Sequence, residues 1–335
     1  MIAYVLRRVL LLVPVLVGLS MLVFAIARLL PGDPVKLAAG PQATAAEIAG
    51  LAREFGLDRP IPLQYVDYVT GLLQGDWGRS ILTRRPVADD LAVFLPATLE
   101  LVIAAMALAI VVGIPVGLMA GVFRDRWPDY LSRVLSLGAV SLPRFFLGLL
   151  LQLCFAMWLA WLPLGGRFPL IEIPPPVVTG FLTVDSLVAG DPAAFSLSLQ
   201  HLILPALALS LNPLATITRM MRSATIEVLQ QDYVLTERAL GLSFPLIVFK
   251  YVLRNAMSSS LTVIGLYFGW LLGGTVLVET VFDWPGIGLY ATKSIVTQDF
   301  MPIMGVTLCI GVIFVTINLL IDLLYGLVNP KVRYE

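Results

Sequence analysis

Six long apolar runs, at about 9–30, 97–122, 131–162, 201–220, 257–282 and 302–328, limit what this chain can become more than any other feature. A helix rises about 1.5 Å per residue and bilayer hydrocarbon is about 30 Å thick, so about 20 apolar residues cross it. Composition agrees. The chain is 59% hydrophobic and only 13% charged, with mean hydropathy +0.91, against about a quarter charged residues in a soluble domain. The expected fold is an all-α polytopic membrane protein with six transmembrane helices. The first run has the basic front and the Ala25-x-Ala27 of a signal peptide. However, its apolar part, Val9 to Ile26, exceeds the roughly 7–15 residues of such a leader, so it is read as an uncleaved first span.

Orientation follows from lysine and arginine near the span ends. Six spans put both termini on one side, together with loops near 123–130 and 221–256. That side collects Arg7, Arg8, Arg124, Arg126, Arg133, Arg219, Arg222, Arg238, Lys250, Arg254, Lys331 and Arg333, twelve of the 22 basic residues. It is therefore read as cytoplasmic. The expected organisation is a cytoplasmic N-terminus and first span over 1–30, an external segment over 31–95 and a core of five spans over 96–330. Within that core lie an external loop, 163–200, and a cytoplasmic loop, 221–256. A short tail, 331–335, follows.

The external segment carries its own helix signals. Thr44 and Glu47 form a capping box, Ile48, Leu51, Ala52 and Phe55 make an apolar face, and Gly56 ends it. A second amphipathic piece covers about 63–73, before GDWGRS. Such pieces are expected on the membrane surface or against the spans, or as a surface for an external partner. EIPPPVV makes the start of 163–200 irregular. Glycines cluster at Gly113–Gly117 and Gly269–Gly274, where close helix packing and a moving pathway are equally compatible readings.

The loop TERALGLSFPLIVFKYVLRNA interrupts this apolar pattern. Asp232 is expected to cap a helix starting at Tyr233, and Gly241 to stop it in a left-handed cap. Ser243 then caps a second helix, with Pro245 in its first turn, leading towards the fifth span. A short mixed-charge helix projecting into water suits a groove in another protein, although an interfacial connector near headgroups explains the same charges.

Taken in order, RRVLLLVPVLVGLSMLVFAIARLLPGDP, GLDRPIPLQY, GDWGRS, LPATLEL, HLILPAL, DYVLTERALGLS, VLRNAMSSSLTVIG, GGTVLVETVFDWPGIG and LLIDLLYGLVNPKVR resemble the binding-protein-dependent ABC importer permeases. The resemblance is narrower still to the dipeptide, oligopeptide and nickel permease family, and it covers almost the whole chain. It implies the type I importer permease fold in a bacterial inner membrane, with the chain forming half of a translocation path. It also implies three kinds of protein partner besides the lipid bilayer: a homologous second permease subunit in a heterodimer, two cytoplasmic ATP-binding subunits and an extracytoplasmic solute-binding protein. ATP and Mg belong to the ATPases, so the chain itself binds no cofactor. The family's coupling helix maps to Tyr233–Leu242, with Tyr233, Val234, Glu237, Arg238, Ala239, Gly241 and Leu242 as its contact and hinge residues. Arg238 stands where the strict E-A-A---G form has alanine, and Leu240 where a basic residue is more usual. Substrates implied are di- or oligopeptides, with nickel chelates, opines or glutathione as alternatives.

Other chemistries find little support. No G-x-x-x-x-G-K-[ST] occurs, so ATP hydrolysis is not expected here. A single histidine, His201, argues against a histidine metal site or a protease and is read as interfacial. Cys154 and Cys309 lie in apolar runs and are read as packing residues. Twenty-two acidic residues balance the basic ones and give no hint of nucleic acid. An ion-coupled secondary transporter would place ionisable groups at midplane. Glu100, Glu279 and Asp322 fall near span ends instead. Arg144, about 13 residues or 20 Å into the third run, is the exception. It is expected either in a structural ion pair or lining the path.

Overall fold

The computed structural model describes residues 2–29, 43–54, 59–81 and 83–328. Apart from an isolated bridge between Arg79 and Pro86, regular structure among them is helical: α1 (Ile2–Leu29), α2 (Ala45–Glu54), α3 (Ile61–Leu73), α4 (Val87–Val122), α5 (Trp127–Ser141), α6 (Arg144–Leu151), α7 (Leu182–Val188), α8 (Pro192–Leu229), α9 (Asp232–Ala239), α10 (Phe244–Leu246), α11 (Leu253–Val281), α12 (Ile287–Val296) and α13 (Phe300–Val328). Helices α6 and α10 continue into wider π turns, Gln152–Trp158 and Ile247–Val252. Among the described residues five helices, α1, α4, α8, α11 and α13, are long and apolar enough to cross a membrane, and α5 with α6 and its π turn passes the same test only as a bent pair, the geometry of a broken span or of a re-entrant loop.

That pair is not the continuous helix expected at 131–162. It bends by 106° at Leu142 and Pro143, which have ψ 136° and 140°. Proline lacks the N–H needed to continue a helix, and its ring drives the preceding residue into extended geometry. The depth assigned to Arg144 by counting helical rise from one end therefore does not hold. Helices also outrun the apolar windows. α4 begins at Val87 and α8 at Pro192, and for α8 it is a polar cap, not hydrophobicity, that decides the start. The Asp191 carboxylate accepts from the N–H groups of Ala193 (3.0 Å) and Ala194 (2.9 Å).

The chain divides into two compact units, residues 1–98 with 285–315, and 99–284 with 316–335. In the first, the capping box forms as the sequence predicts. The Thr44 N–H and hydroxyl donate to Glu47 at 2.8 and 2.9 Å, and the Glu47 N–H returns to Thr44 Oγ1 at 3.4 Å. These donors hold the Glu47 carboxyl below the usual carboxylate range. Phe55, Gly56 and the side chains of Leu51 and Ala52 lie outside the described residues. α3 starts at Ile61, two residues early, because Pro62 costs nothing in a first turn whose N–H groups are unpaired anyway. Helix α12 carries no transmembrane signal, and the sequence reading assigns nothing to it. Its Ile287 and Tyr290 pack with Val87, Leu91, Val306 and Cys309. Tyr290 donates to the buried Asp90 at 2.9 Å, and its phenol is pushed above the ordinary range by burial and by that carboxylate.

In the second unit, α8 packs against α5, α6, α7 and α11. Its contact with α4 runs along glycines. A Cβ on Gly117 would stand 2.6 Å from the Thr218 carbonyl, and one on Gly121 would stand 2.5 Å from Thr225 Cβ. The glycines at 113–121 thus serve close helix packing, and Thr218 donates to the Gly113 carbonyl at 3.4 Å. The start of 163–200 is irregular, as expected, with no helix before Leu182. It is held by Arg167, which donates to Glu100 (Nε, 3.0 Å) and to the Gly180 carbonyl. Thr183 donates to the other Glu100 oxygen from its N–H (2.8 Å) and hydroxyl (2.6 Å). Glu100 is buried, which agrees with a packing role. His201 is buried too, with Nδ1–H donating to the Leu197 carbonyl at 2.9 Å, so its ring is a satisfied buried group.

Candidate functional site

The connection from α8 to α11 is built to hold one short helix at a fixed angle. α8 ends at Leu229, and Gln231, extended at ψ 144°, precedes α9. Asp232 is therefore the first helical residue and not the cap that the sequence suggested. Its carboxylate sits in the first turn, where the partial positive charge of the helix end favours it. Val234 is fully buried among Leu118, Met221, Ala224, Ile247, Val248, Val252 and Ala256. Burial of such a side chain contributes about 1.5–3 kcal/mol, a large share of what holds two helical turns in place. The Tyr233 hydroxyl accepts from Asn255 Nδ2 at 3.0 Å, which ties α9 to the start of α11.

The helix stops as predicted. Gly241 has φ +82°, where a glycine pays no Cβ penalty. Its N–H donates to the Arg238 carbonyl at 3.0 Å, and the Leu242 N–H donates to the Glu237 carbonyl at 3.3 Å. These two bonds are the paired closure of a Schellman motif. Leu242 then packs on the cluster around Val234. Ser243 occupies the cap position of the next helix, although its hydroxyl makes no capping bond. From Phe244 the helical path runs without interruption through the π turn to Val281.

Of the residues singled out by sequence, Tyr233, Arg238, Ala239 and Gly241 are exposed, Glu237 and Leu242 half-buried and Val234 buried. Val234 thus anchors the helix from beneath. Leu235, Leu240 (73% exposed) and Phe244 instead join the presented surface, and the Arg238 guanidinium sits 5.2 Å over the Phe244 ring. The sequence reading missed Leu235 and Phe244, because which face of a two-turn helix points outwards depends on which side chain is buried.

The base of this loop is fixed by one carboxylate. Asp129, fully buried at the start of α5, accepts from Arg133 Nε (3.0 Å), from Arg222 Nη2 of α8 (2.8 Å) and from the Asp125 N–H (3.0 Å). The Asp129–Arg133 spacing of four is legible in sequence. Arg222 is a long-range partner with no sequence signal.

Arg144 opens α6 immediately after the break. Its guanidinium lies against Gly274 of α11, where any side chain would collide with it. Tyr267 of α11 is its electrostatic neighbour. Thr216 of α8 gives its proton to the Asn212 carbonyl (3.2 Å), so it accepts from the Tyr267 hydroxyl (2.9 Å) and from Arg219 Nη2 (3.4 Å). Among the described residues, no carboxylate lies within ion-pair distance of Arg144. The arrangement is a line of two guanidiniums and two hydroxyls shared by α6, α11 and α8, suited to receiving an anion. The side chain of Asp322 lies outside the described residues. Both cysteines are free, with Cys154 half-buried and Cys309 buried.

Residues 113–334 match the family described as binding-protein-dependent transport system inner membrane component, and residues 1–102 match the N-terminal region of such membrane components. The chain is 44% identical over 321 residues to the probable D,D-dipeptide transport system permease protein of Escherichia coli (strain K12), covering 96% of this chain and 94% of that one. It is 41% identical over 338 residues to the dipeptide transport system permease protein of Alkalihalophilus pseudofirmus, and 41% over 336 residues to the glutathione transport system permease protein of Salmonella typhimurium (strain LT2), each covering the whole of both chains.

Proposed function

Because this chain belongs to the family of binding-protein-dependent transport system inner membrane components, we propose that it forms one half of an ATP-driven import path for di- or oligopeptides. The three relatives above are named for dipeptide-type or glutathione transport, and glutathione is itself a short peptide bearing free carboxylates. The other half of the path is a homologous permease. Two ATP-binding subunits on the cytoplasmic side hold ATP and Mg, and an external solute-binding protein delivers the cargo. The lysine and arginine distribution supports cytoplasmic termini, and in that orientation α9 faces the ATPases.

One observation carries the mechanism: α11 touches both candidate sites. Its Asn255 is bonded to Tyr233 of α9, and its Gly274 carries the Arg144 guanidinium. Nineteen residues of helix separate them, about 28 Å. Closure of the ATPases on ATP displaces α9, and Val234 and Tyr233 pass that displacement to α11. α11 in turn shifts the surface under Arg144, biasing a two-state equilibrium of the path. Leu235, Arg238, Leu240 and Phe244 make the ATPase contact, and the Arg144–Tyr267–Thr216–Arg219 line meets the peptide carboxylate.

The test is uptake by the reconstituted complex. Arg144→Ala should depress uptake of peptides with a free C-terminal carboxylate more than of C-terminally amidated ones, with Arg144→Lys intermediate. An assembled Arg144→Ala complex that carries both kinds at wild-type rates sinks the assignment. Uptake that survives ATP depletion but collapses with the proton gradient would point instead to ion coupling.

A further inference from the structure

Helix α3 sits deeper against the first span than a surface helix would. Ser20 Oγ of α1 donates to the Val17 carbonyl at 2.8 Å, so the 2.9 Å contact with the Tyr65 hydroxyl is a bond that Tyr65 donates. The Phe24 ring meets Tyr65 edge-on at 5.4 Å and stacks with Tyr68 at 5.9 Å. Ser20 lies within the apolar stretch Leu10–Ala27, seven residues from its Ala27 end, or about 10 Å of helix. A helix is itself about 10 Å across. Bonded at Ser20, α3 therefore has its inner face at hydrocarbon depth.

The rest of α3 divides into two edges. Pro62, Val66 and Leu73 are exposed along one, Leu73 to 84%. The other carries Asp67, paired with Arg59 at 2.9 Å, and Gln64, which donates to the Arg59 carbonyl at 2.7 Å. Around Ser20, the α1 residues Val17, Met21 and Leu22 are also exposed, on the surface a first span turns to lipid. Val66 and Leu73 add apolar surface to that side of the unit, and Thr70 between them turns its hydroxyl back onto the Val66 carbonyl at 2.7 Å; 13 residues are too few to cross the bilayer.

We propose that α3 is embedded in the leaflet at the Ala27 end of the first span. Its Val66–Leu73 edge lies among acyl chains, its Arg59–Asp67 edge lies at headgroup level, and the Ser20–Tyr65 bond sets its depth. The helix is a lipid-docking element, not a landing surface for a water-soluble protein. The geometry is that of an interfacial helix sunk by its apolar face, here held by a span of its own chain, and it does not depend on what the transporter carries.

The experiment uses the whole transporter in lipid nanodiscs, with Cys154→Ala and Cys309→Ala and single cysteines at 66, 67 or 73 carrying a nitroxide. Collision with oxygen should exceed collision with a nickel chelate at 66 and 73, with the order reversed at 67. Nickel-dominated collision at 66 and 73 overturns the proposal, as does low collision with both reagents, which would mean a protein covers that edge. A second measurement needs no substitution. In the wild-type complex a lipid-borne photoactivatable carbene reagent should label the peptide spanning Ile61–Leu73, and an unlabelled peptide there overturns the proposal equally.

Discussion

Replacing Gly241 with alanine isolates the backbone that ends α9. A Cβ there would meet nothing within 4 Å, so collision adds nothing to the cost. What remains is the left-handed conformation at φ +82°, worth about 1–2 kcal/mol for a residue with a Cβ. The Schellman pair, Gly241 to Arg238 and Leu242 to Glu237, opens more often by the matching factor, about 5–30. Hydrogen exchange of the Leu240–Leu242 amides in the assembled transporter measures that factor directly. Gly241→Asn is the control, because asparagine tolerates this conformation far better and should exchange much closer to wild type. Wild-type exchange in Gly241→Ala, or equal acceleration in the asparagine variant, refutes the reasoning. Gly241→Pro also removes the N–H that bonds Arg238 and should uncouple ATP hydrolysis from transport while leaving the spans inserted.

Gly117→Ala forces a methyl to within 2.6 Å of the Thr218 carbonyl and should cost about 1–3 kcal/mol, read as a lower Tm in detergent. Gly138→Ala, with open space around it, should leave Tm unchanged or slightly raised. Arg222→Leu leaves the buried Asp129 with only Arg133 and one backbone donor, the Asp125 N–H; loss of one partner of a buried ion pair costs about 3–5 kcal/mol, seen as a fall in folded yield and Tm that Arg222→Lys, which keeps the charge, should show less. Burial pushes the Asp185 carboxyl up, but the Thr179 and Gly180 N–H groups and the Thr179 hydroxyl outweigh it and hold the group below the carboxylate range. A lowered folded value means that its stabilisation is complete above the unfolded value, about 3.9, and fades as pH falls through the folded one. Asp185→Asn should flatten the acid limb of Tm against pH, and an unchanged limb would refute this assignment.

Short-range physics was legible in the sequence. The apolar runs fixed the spanning helices, because lipid admits only backbone that bonds to itself. Thr44 and Glu47 named a cap, and Gly241 named a stop, because such signals act across three or four residues. The loop motif and its flanking segments identified the family. Long-range partners decided the rest. The burial of Val234, which fixes the outward face of α9, requires α4, α8 and the π turn to converge on it. Arg222 reaches Asp129 from another helix. Gly274 looked like any glycine until α6 laid a guanidinium on it, and the break at Pro143 removed the depth that counting had given Arg144. α12 escaped notice because its burial comes from neighbours distant in sequence, Val87 and Leu91 among them, and not from its own periodicity. Tyr65 and Ser20, 45 positions apart, carry no mark of each other in sequence. Only folding puts one hydroxyl beside the other and sets how deep α3 lies.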